Sequence, residues 1–132
     1  MCNVLLLSHG NLAKELLTTA QMICGEVEGI DYVPLLSGTD LVHYEETILS
    51  KVQQASEGIL VLADIFGGTP FITASRIYNQ NRDKMDIAVV TGMNLPMVLE
   101  AMGSLGDMSV AELKESVMKC AAEGIIDLNE RV

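Results

Sequence analysis

Basic residues are scarce in this sequence, which carries 8 Lys and Arg against 18 Asp and Glu and has a formal net charge of −10. A surface that binds nucleic acid needs clustered Lys and Arg, and anionic lipid repels an acidic protein, so the composition argues against both partners. A basic protein partner is electrostatically favoured instead. No apolar run approaches the roughly 18 residues that a membrane-spanning helix needs, and no basic stretch indicates a signal peptide.

Cysteine is also scarce. The three cysteines, Cys2, Cys24 and Cys120, are odd in number and far apart along the chain. Their spacing fits neither a disulfide framework nor a zinc site. We expect reduced thiols that pack as small apolar residues in a cytosolic protein, and the sequence predicts neither a metal site nor a bound cofactor.

Apolar residues are abundant, at 49% of 132 residues, and this length is enough for one domain with a proper core. Short apolar runs of strand length alternate with amphipathic helical patterns. The alternation predicts an α/β fold, a doubly wound and mainly parallel sheet with helices on both faces. No linker or repeat interrupts it, so we expect a single domain over residues 1–132.

The second predicted strand, residues 30–35, contains Pro34, whose missing N–H favours a position at an edge of the sheet. The order 2-1-3-4 satisfies this requirement and puts the first strand beside the third. Ligands of open α/β sheets bind beyond the carboxyl ends of the strands, where the strand order reverses. We therefore expect the site between the ends of the first and third strands. A short final strand is predicted at residues 125–128.

The third predicted strand is followed by an acid, a double glycine and a helix start. Asp64 lies where the strand ends, and Gly67 and Gly68 allow a tight bend and a close approach to a ligand. Thr69 is predicted as the N-cap and Pro70 as the first helical residue. Because N–H groups at a helix start attract phosphate, this turn predicts a phosphate-binding cradle beside a carboxylate. An ordinary turn, in which the acid caps a local amide, is the alternative.

His9 ends the first predicted strand and therefore lies on the same rim as Asp64. A carboxylate that accepts a hydrogen bond from one imidazole nitrogen fixes the tautomer and leaves the other nitrogen as a nucleophile. The turn at 67–69 would then hold the oxygens of a transferred phosphoryl group. Spacing does not specify which nitrogen reacts, and a purely structural histidine is the competing interpretation.

Apolar side chains near these strand ends are candidates for contact with a partner. We expect Phe66 and Met93 to frame the crevice as such contacts, and Phe71 and Met97 to belong to the core. His43 falls in the first turn of a predicted surface helix, where a solvated role is expected.

Three motifs, in this order, resemble the IIA component of the mannose-type sugar phosphotransferase system. They are Ser8-His9-Gly10 with the helix that follows, the segment from Asp64 to Phe71, and Gly92-Met93-Asn94-Leu95-Pro96-Met97. The resemblance covers nearly the whole length. It departs from the family at the central turn, where Phe or Ile replaces the Trp that some members have.

The resemblance implies a phosphoryl relay. His9 would accept phosphate from the phosphohistidine of the carrier protein HPr and pass it to a IIB component, while Asp64 would bond the second imidazole nitrogen and Thr69 would help to hold the phosphate. Membrane components IIC and IID would be reached indirectly, which implies a cytoplasmic protein, peripheral at the inner face of the membrane through the transporter complex. Members are often homodimers that exchange a C-terminal strand, here residues 125–128. With no linker toward a IIB domain, the chain is expected to be a free-standing IIA.

Two other functions stay open at this point. IIA-like domains also occur in transcriptional regulators and as the phosphoryl donor of dihydroxyacetone kinase. Small metal chelatases of tetrapyrrole synthesis also begin with a strand followed by His-Gly, but they need a second ligand facing the first, and His43 is poorly placed for that role.

Overall fold

The computed structural model describes residues 2–131 and consists of strands that alternate with helices. The strands are β1 (Asn3–His9), β2 (Ile30–Leu35), β3 (Ile59–Ala63) and β4 (Ile87–Val90). The helices are α1 (Leu12–Cys24), α2 (Leu41–Gln53), α3 (Thr69–Asn81), α4 (Leu95–Ser104) and α5 (Val110–Glu123), followed by a short 3₁₀ helix at Leu128–Arg131. No helix within the described residues is long and apolar enough to cross a membrane.

The four strands form one parallel sheet in the order β2-β1-β3-β4, as predicted. The strand that carries Pro34 lies at one edge. In the pairing of β1 with β3, Leu7 lies opposite Ala63, so the residues that follow these two positions meet at the carboxyl edge of the sheet. This register brings the predicted site residues together.

The two faces of the sheet carry separate cores, because alternate side chains of a strand point to opposite faces. Val4, Leu6 and Leu62 pack on one face against α1, α4 and α5, whereas Leu5 and Leu7 pack on the other face against α2 and α3. All five residues of β3 are buried, which explains its continuous apolar sequence.

Two local predictions are corrected. The N-cap of α3 is Gly68, in an extended conformation with φ −79° and ψ 170°, so Thr69 is already helical and Pro70 follows it in the first turn. Residues 125–128 do not form a strand within the chain. Ile125 and Ile126 are exposed and lead to the 3₁₀ helix; the N–H of Ile125 donates to the carbonyl of Ala122, and Asp127 accepts N–H groups of the 3₁₀ helix, so the backbone bonds locally instead of in a sheet.

Tyr44 of α2 is 2% exposed, and its hydroxyl has no hydrogen-bond partner among residues 2–131. Burial raises the pKa of this phenol far above its ordinary value, and the charge of Asp64 raises it further, so the hydroxyl stays protonated. A buried polar group without a partner costs free energy.

Tyr44→Phe removes this hydroxyl and keeps the buried ring. We expect the free energy of unfolding to rise by about 1 kcal/mol, because a desolvated donor is lost without the loss of a partner. Urea denaturation at neutral pH measures the change, with Tyr78→Phe as the control at a half-buried ring of α3. Destabilisation of the Tyr44 variant would contradict the expectation and show that the hydroxyl has a partner.

Candidate active site

His9 and Asp64 form a hydrogen-bonded pair at the carboxyl edge of the sheet. Nδ1 of the imidazole lies 2.8 Å from Oδ2 of Asp64, and the His9 backbone N–H donates to the same oxygen over 2.9 Å. The other oxygen, Oδ1, accepts the N–H of Ile65 over 2.9 Å. Since an ionised carboxylate only accepts hydrogen bonds, Nδ1 carries the proton in the neutral ring and Nε2 keeps its lone pair.

The two side chains differ in exposure. That of Asp64 is 11% exposed, whereas the imidazole of His9 is 51% exposed. Partial burial raises the pKa of the Asp64 carboxyl, but the hydrogen bonds from the His9 amide, the His9 ring and the Ile65 amide, with the charge of His9, together bring that pKa below its ordinary value. The acid is therefore a fixed anion, and the imidazole remains accessible from solvent.

Ser8 fixes the backbone on the other side of His9. It is fully buried, and its Oγ accepts the N–H of Ala13 over 2.7 Å, so it serves the start of α1, where Asn11 makes no side-chain hydrogen bond. The N–H of Gly10 donates to the carbonyl of Leu35 over 2.7 Å. Sequence reasoning assigned no role to Ser8, although its position four residues before the first residue of α1 was a usable signal.

The double glycine of the following turn has two different structural roles. Gly67 has φ +85°, a left-handed conformation that favours glycine, and a Cβ there would meet no atom within 4 Å. At Gly68 a Cβ would lie 2.6 Å from Cε1 and 3.3 Å from Nε2 of His9. Gly68, the N-cap of α3, therefore lies beside the free nitrogen.

The two residues predicted to contact a partner, Phe66 and Met93, differ in exposure. The side chain of Phe66 is 75% exposed and its ring centroid lies 4.8 Å from that of Phe71. Met93 is only 7% exposed and packs in the core with Met97, so its expected contact role is corrected. The N–H of Met93 donates to the carbonyl of Ala63 over 3.1 Å, which ties the backbone of Met93 to the end of β3, and the side chain packs with residues of α4.

The second histidine does not join this pair. His43 is exposed in the first turn of α2. On the same helix, Glu45 accepts a hydrogen bond from Nη2 of Arg76 of α3 over 2.6 Å. No group of three His, Cys, Asp or Glu side chains that could hold a metal occurs in the described part of the chain.

Comparison with known proteins gives a consistent result. Residues 3–118 match the model of the EIIA-man family, described as "PTS system fructose IIA component". Over 122 residues the chain is 37% identical to the mannose-specific EIIAB component of Escherichia coli, an alignment that covers 89% of this chain but 36% of that protein. The chain thus spans about a third of the length of that relative.

Shorter relatives align over most of their length. The fructose-specific EIIA component of Bacillus subtilis is 31% identical, and the alignment covers 86% of this chain and 77% of that protein. The crystal structure of a phosphotransferase system component EIIA from Streptococcus agalactiae superposes with a TM-score of 0.91 and 29% identity, over 98% of this chain and 99% of the other. The α/β fold found here is therefore the fold of these IIA structures.

The lowered pKa of Asp64 predicts a pH dependence of stability. The ionised acid contributes its full stabilisation above the ordinary carboxyl pKa of about 4, and this contribution is lost as the pH falls through the lower pKa of the folded state. Asp64→Asn should therefore lower the free energy of unfolding by about 1–3 kcal/mol at pH 7 and flatten its decline below pH 5. Urea denaturation from pH 7 to pH 3 measures both effects. Asp83→Asn, at an exposed carboxyl, is the control, and equal pH profiles for the two variants would contradict the prediction.

Proposed function

This chain belongs to the mannose-type IIA family of the sugar phosphotransferase system, and on that premise we propose that it relays a phosphoryl group through His9. The donor is the phosphohistidine of HPr and the acceptor is a IIB component. The observation that carries the proposal is the 2.8 Å hydrogen bond from Nδ1 of His9 to Asp64, which leaves Nε2 as the nucleophile.

In the accepting step, the lone pair of Nε2 forms a bond to phosphorus while the phosphorus–nitrogen bond of the donor histidine breaks. The departing imidazole takes the electron pair of the broken bond. The proton on Nδ1 stays in its hydrogen bond to Asp64, and the phosphorylated ring of His9 is then positively charged. The carboxylate, fixed by two backbone N–H groups, stabilises this charge without rearrangement. Transfer to IIB reverses these events.

The start of α3 is the proposed cradle for the phosphoryl oxygens. The first N–H groups of a helix have no partner inside the helix and attract anions. Gly68 lies against the imidazole and directly precedes Thr69, so these N–H groups and the Thr69 hydroxyl are the donors that this turn would offer to a phosphoryl group. Gly67 supplies the bend that brings them there.

A rim of exposed apolar side chains supports docking of a protein at this edge. It comes from the starts of α1, α2 and α3 and the loops before them, and all of these follow the carboxyl ends of the strands. The exposed members of this docking rim are Leu12, Leu36, Leu41, Val42, Ile65, Phe66 and Ile72. The net charge of −10 favours a partner with basic groups around an apolar centre. Such a relay acts on the cytoplasmic side of the membrane, where IIB would connect it with IIC and IID.

The proposed function also includes a homodimer of this chain. Within residues 2–131, β4 is an edge strand that pairs with β3 on one side, and Ile125, Ile126 and Leu128 are exposed beyond α5. Pairing of this segment with β4 of a second copy would bury these side chains and satisfy the open edge. Sedimentation equilibrium at micromolar concentration should give twice the chain mass, and Ile126→Asp should lower it; a monomer for the unmodified chain would refute the dimer.

Replacing the proposed nucleophile should abolish phosphorylation. His9→Ala leaves no nitrogen at this position, so intact-mass spectrometry after incubation with enzyme I, HPr and phosphoenolpyruvate should show no phosphoryl adduct. The unmodified chain and His43→Ala, the only other histidine, should each show a single acid-labile adduct. A phosphorylated His9→Ala protein with unchanged circular dichroism would remove His9 from the relay.

The exposed ring of Phe66 provides a test of the docking rim. Phe66→Ala should raise the KM for phospho-HPr about 5- to 30-fold, the effect of losing 1–2 kcal/mol of interface contact, because the ring is available to a partner. The melting temperature should change little, since the side chain is 75% exposed. Met22→Ala, at an 83% exposed apolar side chain near the end of α1, is the matched control. An unchanged KM would place docking elsewhere.

A further inference from the structure

We propose that Gly68 is a positioning residue for His9: the absence of a side chain at this position lets the imidazole lie against the backbone with Nδ1 on Asp64. The chemical consequence of this contact rests on the proposed phosphoryl relay. The contact itself is a property of the unphosphorylated protein and can be tested without any partner.

The backbone at residue 68 does not require glycine. Its φ of −79° and ψ of 170° are available to any residue, unlike the left-handed φ of +85° at Gly67. The obstacle is the ring, because a Cβ would lie 2.6 Å from Cε1 of His9, a distance that real Cβ atoms do not adopt. Cγ2 of Ile65 lies 3.2 Å from the same point and leaves little further room for a Cβ.

The backbone that contacts the ring has little freedom to retreat. Gly68 is the N-cap of α3, and its carbonyl accepts the N–H of Ile72 over 2.9 Å. Thr73 and Ala74 of the same helix are buried. A methyl group at residue 68 would therefore displace the imidazole rather than the helix.

Displacement of the ring would remove its alignment. Nδ1 is held by Asp64 and the adjacent Cε1 lies close to Gly68, while half of the imidazole is open to solvent. A ring pushed outward loses the hydrogen bond that specifies its tautomer. The added methyl group would also lie 3.3 Å from the original position of Nε2, in the space that an incoming phosphoryl group needs.

The first experiment is ¹⁵N NMR of labelled histidine in the unphosphorylated protein. For neutral His9 we expect protonated Nδ1 and unprotonated Nε2 in the unmodified chain, and loss of this pattern in Gly68→Ala. The matched control is Gly67→Ala, which strains the same turn but places its methyl in open space, so it should lower the melting temperature and keep the His9 pattern. His43 provides an internal reference.

A second measurement covers the case in which the turn moves instead of the ring. In a double-mutant cycle, Gly68→Ala is made both in the unmodified chain and in the His9→Ala variant. Gly68→Ala should lower the urea midpoint in the unmodified chain but not in the His9→Ala variant, where the ring is absent. Loss of the pattern in a folded Gly68→Ala protein, or this coupling, supports the proposal. An unchanged His9 pattern together with equal midpoint shifts in both backgrounds overturns it, and so does a Gly68→Ala protein that fails to fold both with and without the His9 ring.

Transfer kinetics then connect the contact with function. At saturating phospho-HPr, Gly68→Ala should be phosphorylated at least tenfold more slowly than the unmodified chain. A rate within twofold would refute the consequence for transfer. If the unmodified chain is not phosphorylated at all, the relay fails, and the NMR and unfolding measurements still decide whether Gly68 positions His9.

Discussion

The Asp64 carboxylate holds the site together, because it accepts three N–H groups from the two strand ends that meet there. Two come from His9, through its backbone and its ring, and one comes from Ile65. The carboxylate thereby joins the end of β1 to the turn after β3 and directs the imidazole at the same time. These bonds compensate for its partial burial, so the pKa stays low and the negative charge persists where a positive ring would form.

The parallel pairing of β1 with β3 makes this arrangement possible. The pairing is set by alternating burial on two faces, and a slip of one residue would exchange the two cores. The energetic cost of such a slip is far larger than the energy of any single polar contact at the rim. The fold therefore fixes the separation of His9 and Asp64, and the local hydrogen bonds only orient the side chains.

Much of this geometry could be predicted from the sequence, because it depends on strand order and on residue types at strand ends. The edge position of Pro34 and the proximity of His9 to Asp64 follow from the order 2-1-3-4. Exposure was harder to predict, and Met93 was wrongly placed at the surface because its burial depends on how α4 and α5 close over the strand end. The prediction of a strand at residues 125–128 was wrong for the chain described here, because a short apolar run does not specify a sheet edge to pair with. The sequence does not show why residues 67 and 68 are both glycine. Gly67 is required by its left-handed φ, whereas Gly68 is required by its contact with His9, which is distant in sequence.

His9 is more exposed than Asp64, and this difference suits a phosphoryl carrier better than a hydrolytic enzyme. A deeply buried histidine would protect its phosphoryl group, but two proteins in turn could not reach it. A fully exposed histidine would be accessible, but its ring orientation would be averaged over several rotamers. Here the acid is nearly buried and rigid, whereas the imidazole is half exposed and directed by contacts on two sides. Orientation is thus supplied from the buried side of the ring and access from the solvent side, and in the proposed relay the apolar rim would let a docked partner exclude water during transfer.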